Sequence, residues 1–173
     1  TIIQASTCDP VTLPGGCTPV EYRVFEVSST GDLTVDKITV RHGRCDNSCE
    51  STIPYGGAGI LNIGTLTVTN SAFSSNSASH GGGVYNTGVQ TVTNSSFAGN
   101  LAKNDNVGVF FGIGAGGGLY NTGNLKMTSC SFSNNFSETL DADPFSGGFG
   151  GGIANEGALT LENCSFSDNS VNN

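Results

Sequence analysis

The chain has 173 residues, 26 of them glycine, with no tryptophan, a single methionine and 12% charged residues, which excludes an ordinary helix-rich enzyme domain and fits one elongated domain. Its formal net charge of −8, from 14 acidic and 6 basic residues, comes without the clustered Lys and Arg that phosphate neutralisation requires, which argues against nucleic acid and disfavours other polyanionic ligands. No apolar run reaches membrane-spanning length and no leader pattern opens the chain, so membrane insertion by this segment is not expected.

From its start, Thr1-Ile2-Ile3-Gln4 has strand character. With no initiator Met, residues 1–173 read as a single domain that is a processed product or a segment of a longer surface protein. Cys8 and Cys17 follow in a Pro- and Gly-rich loop, and Cys45 and Cys49 in an Asn- and Asp-rich one. Such short-range couples in turn-forming loops point to disulfides Cys8–Cys17 and Cys45–Cys49 in an oxidising compartment. Zinc is the rival reading, but it needs converging ligands at close spacing, and His42 and His80 are the only histidines.

Internal periodicity decides the fold. Four segments align: Gly57 to Asn76, Gly81 to Asn100, Gly116 to Asn135 and Gly150 to Asn169. Each has a glycine-rich start, an Asn-x-Gly turn (with Asn62-Ile63-Gly64 as the first), a short alternating strand and Phe-x-x-Asn. Val24 to Gly43 is a degenerate fifth copy in which Ile38 stands where the others have Phe, and the residues before it belong to a still earlier coil. The expected architecture is an all-β, right-handed parallel β-helix of about six coils, each with three short strands. The turn asparagines are offset by 24 (Asn62 to Asn86), 35 (Asn86 to Asn121) and 34 (Asn121 to Asn155), so the excess is insertion. Three loops, Arg44 to Gly56, Lys103 to Ala115 and Ser137 to Phe149, fall at one corner. With rungs about 4.8 Å apart they emerge on one side, where repeat proteins place their binding face.

In Leu66-Thr67-Val68-Thr69 the period of two sends Leu66 and Val68 inward. Stacked repeats then give inward files Leu33, Leu66, Gln90, Leu125, Leu159, and Val35, Val68, Val92, Met127, Leu161, with a third of Ile38, Phe73, Phe97, Phe132, Phe166. Asn62, Asn86, Asn121 and Asn155 are expected to form an inward amide ladder, and Asn76, Asn100, Asn135 and Asn169 a second, because a continuous ladder leaves only its ends unsatisfied. Gly81-Gly82-Gly83 lacks the Lys-Ser/Thr of a phosphate loop. Cys130 and Cys164 occupy the position of Ser71 and Ser95 and are read as stacked thiols rather than a disulfide.

The Gly-Gly-Ala/Gly-Ile/Leu/Val starts, with Phe73-Ser74-Ser75-Asn76, Phe97-Ala98-Gly99-Asn100, Phe132-Ser133-Asn134-Asn135 and Phe166-Ser167-Asp168-Asn169, resemble the repeats of polymorphic outer-membrane proteins. That resemblance covers about two thirds of the chain. It implies the pectate-lyase-like right-handed β-helix and a secreted or surface-displayed protein, in many members an adhesin or a stalk.

Chemistry is sparse. A β-helix lyase or glycosidase needs paired carboxylates, or carboxylates holding calcium beside a base. Asp36, Asp46, Glu50, Asp105, Glu138, Asp141, Asp143, Glu156 and Glu162 are the candidates, and their counterparts on neighbouring rungs are Thr, Ser or Asn. Glu138, Asp141 and Asp143 are weak calcium candidates, with a solvated acidic loop as the alternative. Outward files Thr34, Thr67, Thr91, Lys126, Thr160 and Asp36, Thr69, Thr93, Thr128, Glu162 suggest an ice-binding face interrupted in the later rungs, or simply solvated strand residues. Asn94, Asn135 and Asn163 open glycosylation sequons. The resulting expectation is a non-catalytic extracellular structural or adhesive protein without a cofactor. Its coil ends, open and uncapped in this reading, self-associate end to end into a fibre or stalk, or meet another surface protein or a glycan; polysaccharide binding or cleavage and ice binding are the alternatives.

Overall fold

The structure is a computed structural model that describes residues 1–13, 15, 17–18, 20–45, 49, 55–104, 115–139 and 148–172. Among these residues every regular element is a short parallel strand, and each coil has four strands rather than three. The first coil is β2 (Phe25–Val27), β3 (Asp32–Asp36), β4 (Thr39–Arg41) and β5 (Arg44–Cys45). The second is β6 (Ile60–Asn62), β7 (Thr65–Thr69), β8 (Ala72–Ser74) and β9 (Ser77–Ala78). The third is β10 (Val84–Asn86), β11 (Val89–Thr93), β12 (Ser96–Ala98) and β13 (Leu101–Asn104). The fourth is β14 (Leu119–Asn121), β15 (Asn124–Thr128), β16 (Ser131–Ser133) and β17 (Phe136–Thr139). The fifth is β18 (Ile153–Asn155), β19 (Ala158–Glu162), β20 (Ser165–Ser167) and β21 (Ser170–Asn172). Ahead of them β1 (Ile2–Gln4) pairs with β4. The described part of the chain is therefore a parallel β-helix of five four-strand coils plus one strand of a sixth.

Four parallel sheets result, in the orders β1-β4-β8-β12-β16-β20, β18-β14-β10-β6-β2, β19-β15-β11-β7-β3 and β21-β17-β13-β9-β5. The fourth sheet absorbs residues that the sequence assigns to insertions. Arg44 and Cys45, Lys103 and Asn104, and Ser137 to Thr139 all lie in strands. A two-residue strand carries almost no periodic signal, which is why alternation alone merges it with the loop that follows.

Registers confirm the Leu and Val files and correct the third. The partner of Phe73 is Val40, not Ile38, because the first two coils align from Asp36↔Thr69 to Thr39↔Ala72 with no residue gained or lost. Ile38 instead begins the file of Ser71, Ser95, Cys130 and Cys164. Phe73, Phe97, Phe132 and Phe166 stack nearly parallel, with centroids 4.8, 4.5 and 5.0 Å apart, a spacing set by the rung repeat. A further inward file, Phe25, Ile60, Val84, Leu119 and Ile153, closes the core from the glycine-bearing side.

Both asparagine ladders are present. Each Nδ2 donates to the Oδ1 of the next rung: Asn62 to Asn86, Asn86 to Asn121 and Asn121 to Asn155, all at 2.7 Å. In the second ladder Asn76 donates to Asn100 at 3.0 Å, Asn100 to Asn135 at 2.9 Å and Asn135 to Asn169 at 2.8 Å. The second proton of each of these amides goes to the main chain one rung back, as from Asn100 to Phe73 O. The buried amide cost is thus offset along the stack up to its Asn62 end, where the Oδ1 is buried without a partner.

Candidate functional site

Turns between sheets determine which side chains reach the surface together. Gly57, Gly81, Gly116 and Gly150 all take positive φ at one corner, and a Cβ on any of them would strike a backbone carbonyl, so only glycine fits there. Directly before this corner, Gly56, His80, Ala115 and Phe149 form successive parallel bridges. Gly56, Ala115 and Phe149 end the three segments that contain the insertions, so the long loops re-enter the stack at one corner.

Beside that file runs the outward file of the adjoining sheet, Leu61, Tyr85, Tyr120 and Ala154. The Tyr85 ring lies over Gly56, where a Cβ would collide with it. Tyr85 and Tyr120 have centroids 4.9 Å apart, and the His80 ring lies 5.3 Å from Tyr120 and 6.3 Å from Tyr85. Burial raises both tyrosine pKa values, with the Glu156 charge adding to it. Burial also pushes the His80 imidazole below its usual value, so at neutral pH it is an uncharged ring.

The tyrosine file stops at Ala154. The space where a third ring would lie is a cleft of about 420 Å³ lined by His80, Ala115, Tyr120, Phe149, Ala154 and Glu156. Phe149 is 55% exposed and forms its outer wall. The sequence reading passed over this site. Its signal was an outward file that reads Leu, Tyr, Tyr, Ala where the opposite face repeats threonine, and it could have been found by asking which columns break the repeat.

Other candidates are spread apart. Glu138 lies in β17, in register with Lys103; Asp46, Glu50, Asp105, Asp141 and Asp143 fall outside the described residues. Among the described residues no group of three or more His, Cys, Asp or Glu could hold a metal ion. Asp36 accepts from Asn70 Nδ2 and Thr69 Oγ1, both at 2.8 Å, and these bonds hold its carboxyl below the usual value. The outward threonines are in register, but Lys126 interrupts them and reaches Glu162 at 3.9 Å.

Asn94 and Asn163 are exposed at left-handed corners. Asn135 is fully buried in its ladder, so its amide is inaccessible to a glycosyltransferase in the folded coil. Cys8–Cys17 and Cys45–Cys49 are disulfides, indicating a non-reducing environment. Cys130 and Cys164 are free thiols, donating to Thr128 O and Glu162 O as the serines of that file do to theirs. No helix among the described residues is long and apolar enough to cross a membrane.

The coil ends differ. In the first coil Val27, Val35 and Val40 are buried, with β1 paired against β4 on that side; this end is covered, unlike the uncapped end that was expected. At the other end Leu161, Phe166 and Val171 are 40, 48 and 41% exposed.

Comparison with known proteins finds no matching family model, no similar curated protein and no similar solved structure.

Proposed function

We propose that this chain is a non-catalytic, extracellular or cell-surface β-helix of the polymorphic outer-membrane repeat type, which binds a partner through its loop-bearing corner. One observation carries the reading: among the described residues, His80, Tyr85, Tyr120, Phe149 and Glu156, from columns that do not repeat, converge at the corner where the long loops re-enter the stack. Repeating columns serve the scaffold, and an aromatic cluster lining a cleft beside a carboxylate is the composition of a recognition surface. The disulfides favour an oxidising, extracellular setting.

Glycosidic cleavage by two carboxylates needs a pair roughly 5–10 Å apart. Among the described residues Glu156 is the one carboxylate lining the cleft, which supports binding over turnover. The test is incubation with a panel of neutral and acidic polysaccharides, followed by product analysis and by pull-down on the insoluble ones. Retention on a surface without release of reducing ends or unsaturated products is expected; cleavage of any member would overturn the reading.

A second reading, end-to-end association, is favoured by the apolar surface of Leu161, Phe166 and Val171 on the last coil. Sedimentation at increasing concentration checks it, with a constant monomer as the opposing result.

A further inference from the structure

The cleft over Ala154 suits one kind of guest. Its floor is the methyl of Ala154, in register with Tyr120, so a flat group resting there continues the aromatic file at the rung spacing. Among the described residues that line it, the charge is that of Glu156, since His80 is neutral and none is a lysine or arginine. Among the described residues the paired basic side chains go elsewhere: Arg23 to Glu26, Arg44 to Glu21, Lys37 to Asp36 and Lys126 to Glu162. Glu156 lines the same cleft as Tyr120, and a carboxylate can accept bonds from more than one donor. With the whole chain at −8, approach of a cation is favoured and that of an anion opposed.

We infer that this cleft is a subsite for an arginine side chain of a partner protein, with the guanidinium plane stacked on Tyr120 in the place of a third tyrosine and its N–H groups donating to Glu156. The inference rests on the corner being the binding surface and names the chemistry of what binds there. A guanidinium is preferred to an ammonium because it is planar, stacks on aromatic faces and presents a fork matched to a carboxylate, whereas ammonium is a compact, strongly hydrated charge. Phe149 lines the same cleft and adds apolar surface for the methylenes of the arginine side chain.

The test is a titration of the isotope-labelled chain with acetyl-Gly-Arg-Gly-amide, followed through backbone amide shifts, with the Lys and citrulline versions and cellohexaose in parallel. Saturable shifts at Tyr120, Ala154 and Glu156 are expected with the arginine peptide, at least tenfold weaker binding with citrulline, and weakening by salt. Glu156→Gln is expected to reduce affinity at least tenfold, and Ala154→Tyr to abolish it by filling the gap, with the amide shifts of β3, β7 and β11 unchanged in both variants as a check on folding. Citrulline binding as well as arginine, the Lys peptide binding better, or no shift at these residues would each overturn the arginine subsite. Cellohexaose shifting the same amides would overturn it too while leaving the corner-binding reading intact, whereas polysaccharide cleavage would remove that reading itself.

Discussion

The third and fifth coils share a sequence pattern and differ in what surrounds it. Phe97 in β12 is sandwiched between Phe73 and Phe132 and has no exposed surface; Phe166 in β20 has a ring on one side alone and is 48% exposed. Asn100 gives and receives along its ladder, whereas Asn169 receives from Asn135 and its own Nδ2 goes to Phe132 O. An identical motif thus has a different energetic weight according to its place in the stack, because a coil acquires its burial from the next coil and not from itself.

The largest effect that sharpens this contrast is at the phenylalanine file. Phe97→Ala is expected to cost about 3–5 kcal/mol and Phe166→Ala no more than about 1 kcal/mol, read by denaturant unfolding; equal losses would break the comparison. At the ladders, Asn100→Ala strands the Asn76 amide and the Phe73 carbonyl and is expected to cost about 2–3 kcal/mol, against about 1 kcal/mol for Asn169→Ala. A gain is expected at Gln90. This residue sits between Leu66 and Leu125, fully buried with no hydrogen-bond partner for either amide atom. Gln90→Leu should raise stability by about 1–2 kcal/mol, measured in the same unfolding experiment.

The smallest effect concerns pH. His80 has its folded pKa lowered by burial from the model-compound value of 6.5, so the unfolded chain binds more protons once pH falls below that value. The His80 contribution is fully present above about pH 6.5 and is lost as pH falls toward the folded value, and His80→Phe should flatten that part of the stability profile.

Much of this was legible in the sequence because a solenoid writes each interaction several times. Leu66, Val68 and Phe73 announce their columns by recurring as Val92 and Phe97, Met127 and Phe132. The Asn-x-Gly turns announce their ladder in the same way. Legibility failed where repetition is weak. The fourth sheet was hidden because Ser77-Ala78 is too short to show a period, and Val40 was missed because an apolar Ile38 lay nearby. Gln90 was read as part of a leucine column, but that both its amide atoms lack a partner is a matter of packing. The cleft was hidden for the opposite reason: His80, Tyr120, Phe149 and Glu156 come from separate columns, and only the small Ala154 in register with Tyr120 leaves a cavity among them.

Residue-resolved amide hydrogen exchange of the 173-residue chain tests the central claim most directly. If burial comes from neighbouring coils, protection should be highest in β11, β12, β15 and β16 and should fall across β18 to β21, with the first coil retaining protection. Uniform protection along all coils, or a fifth coil as protected as the third, would contradict the account.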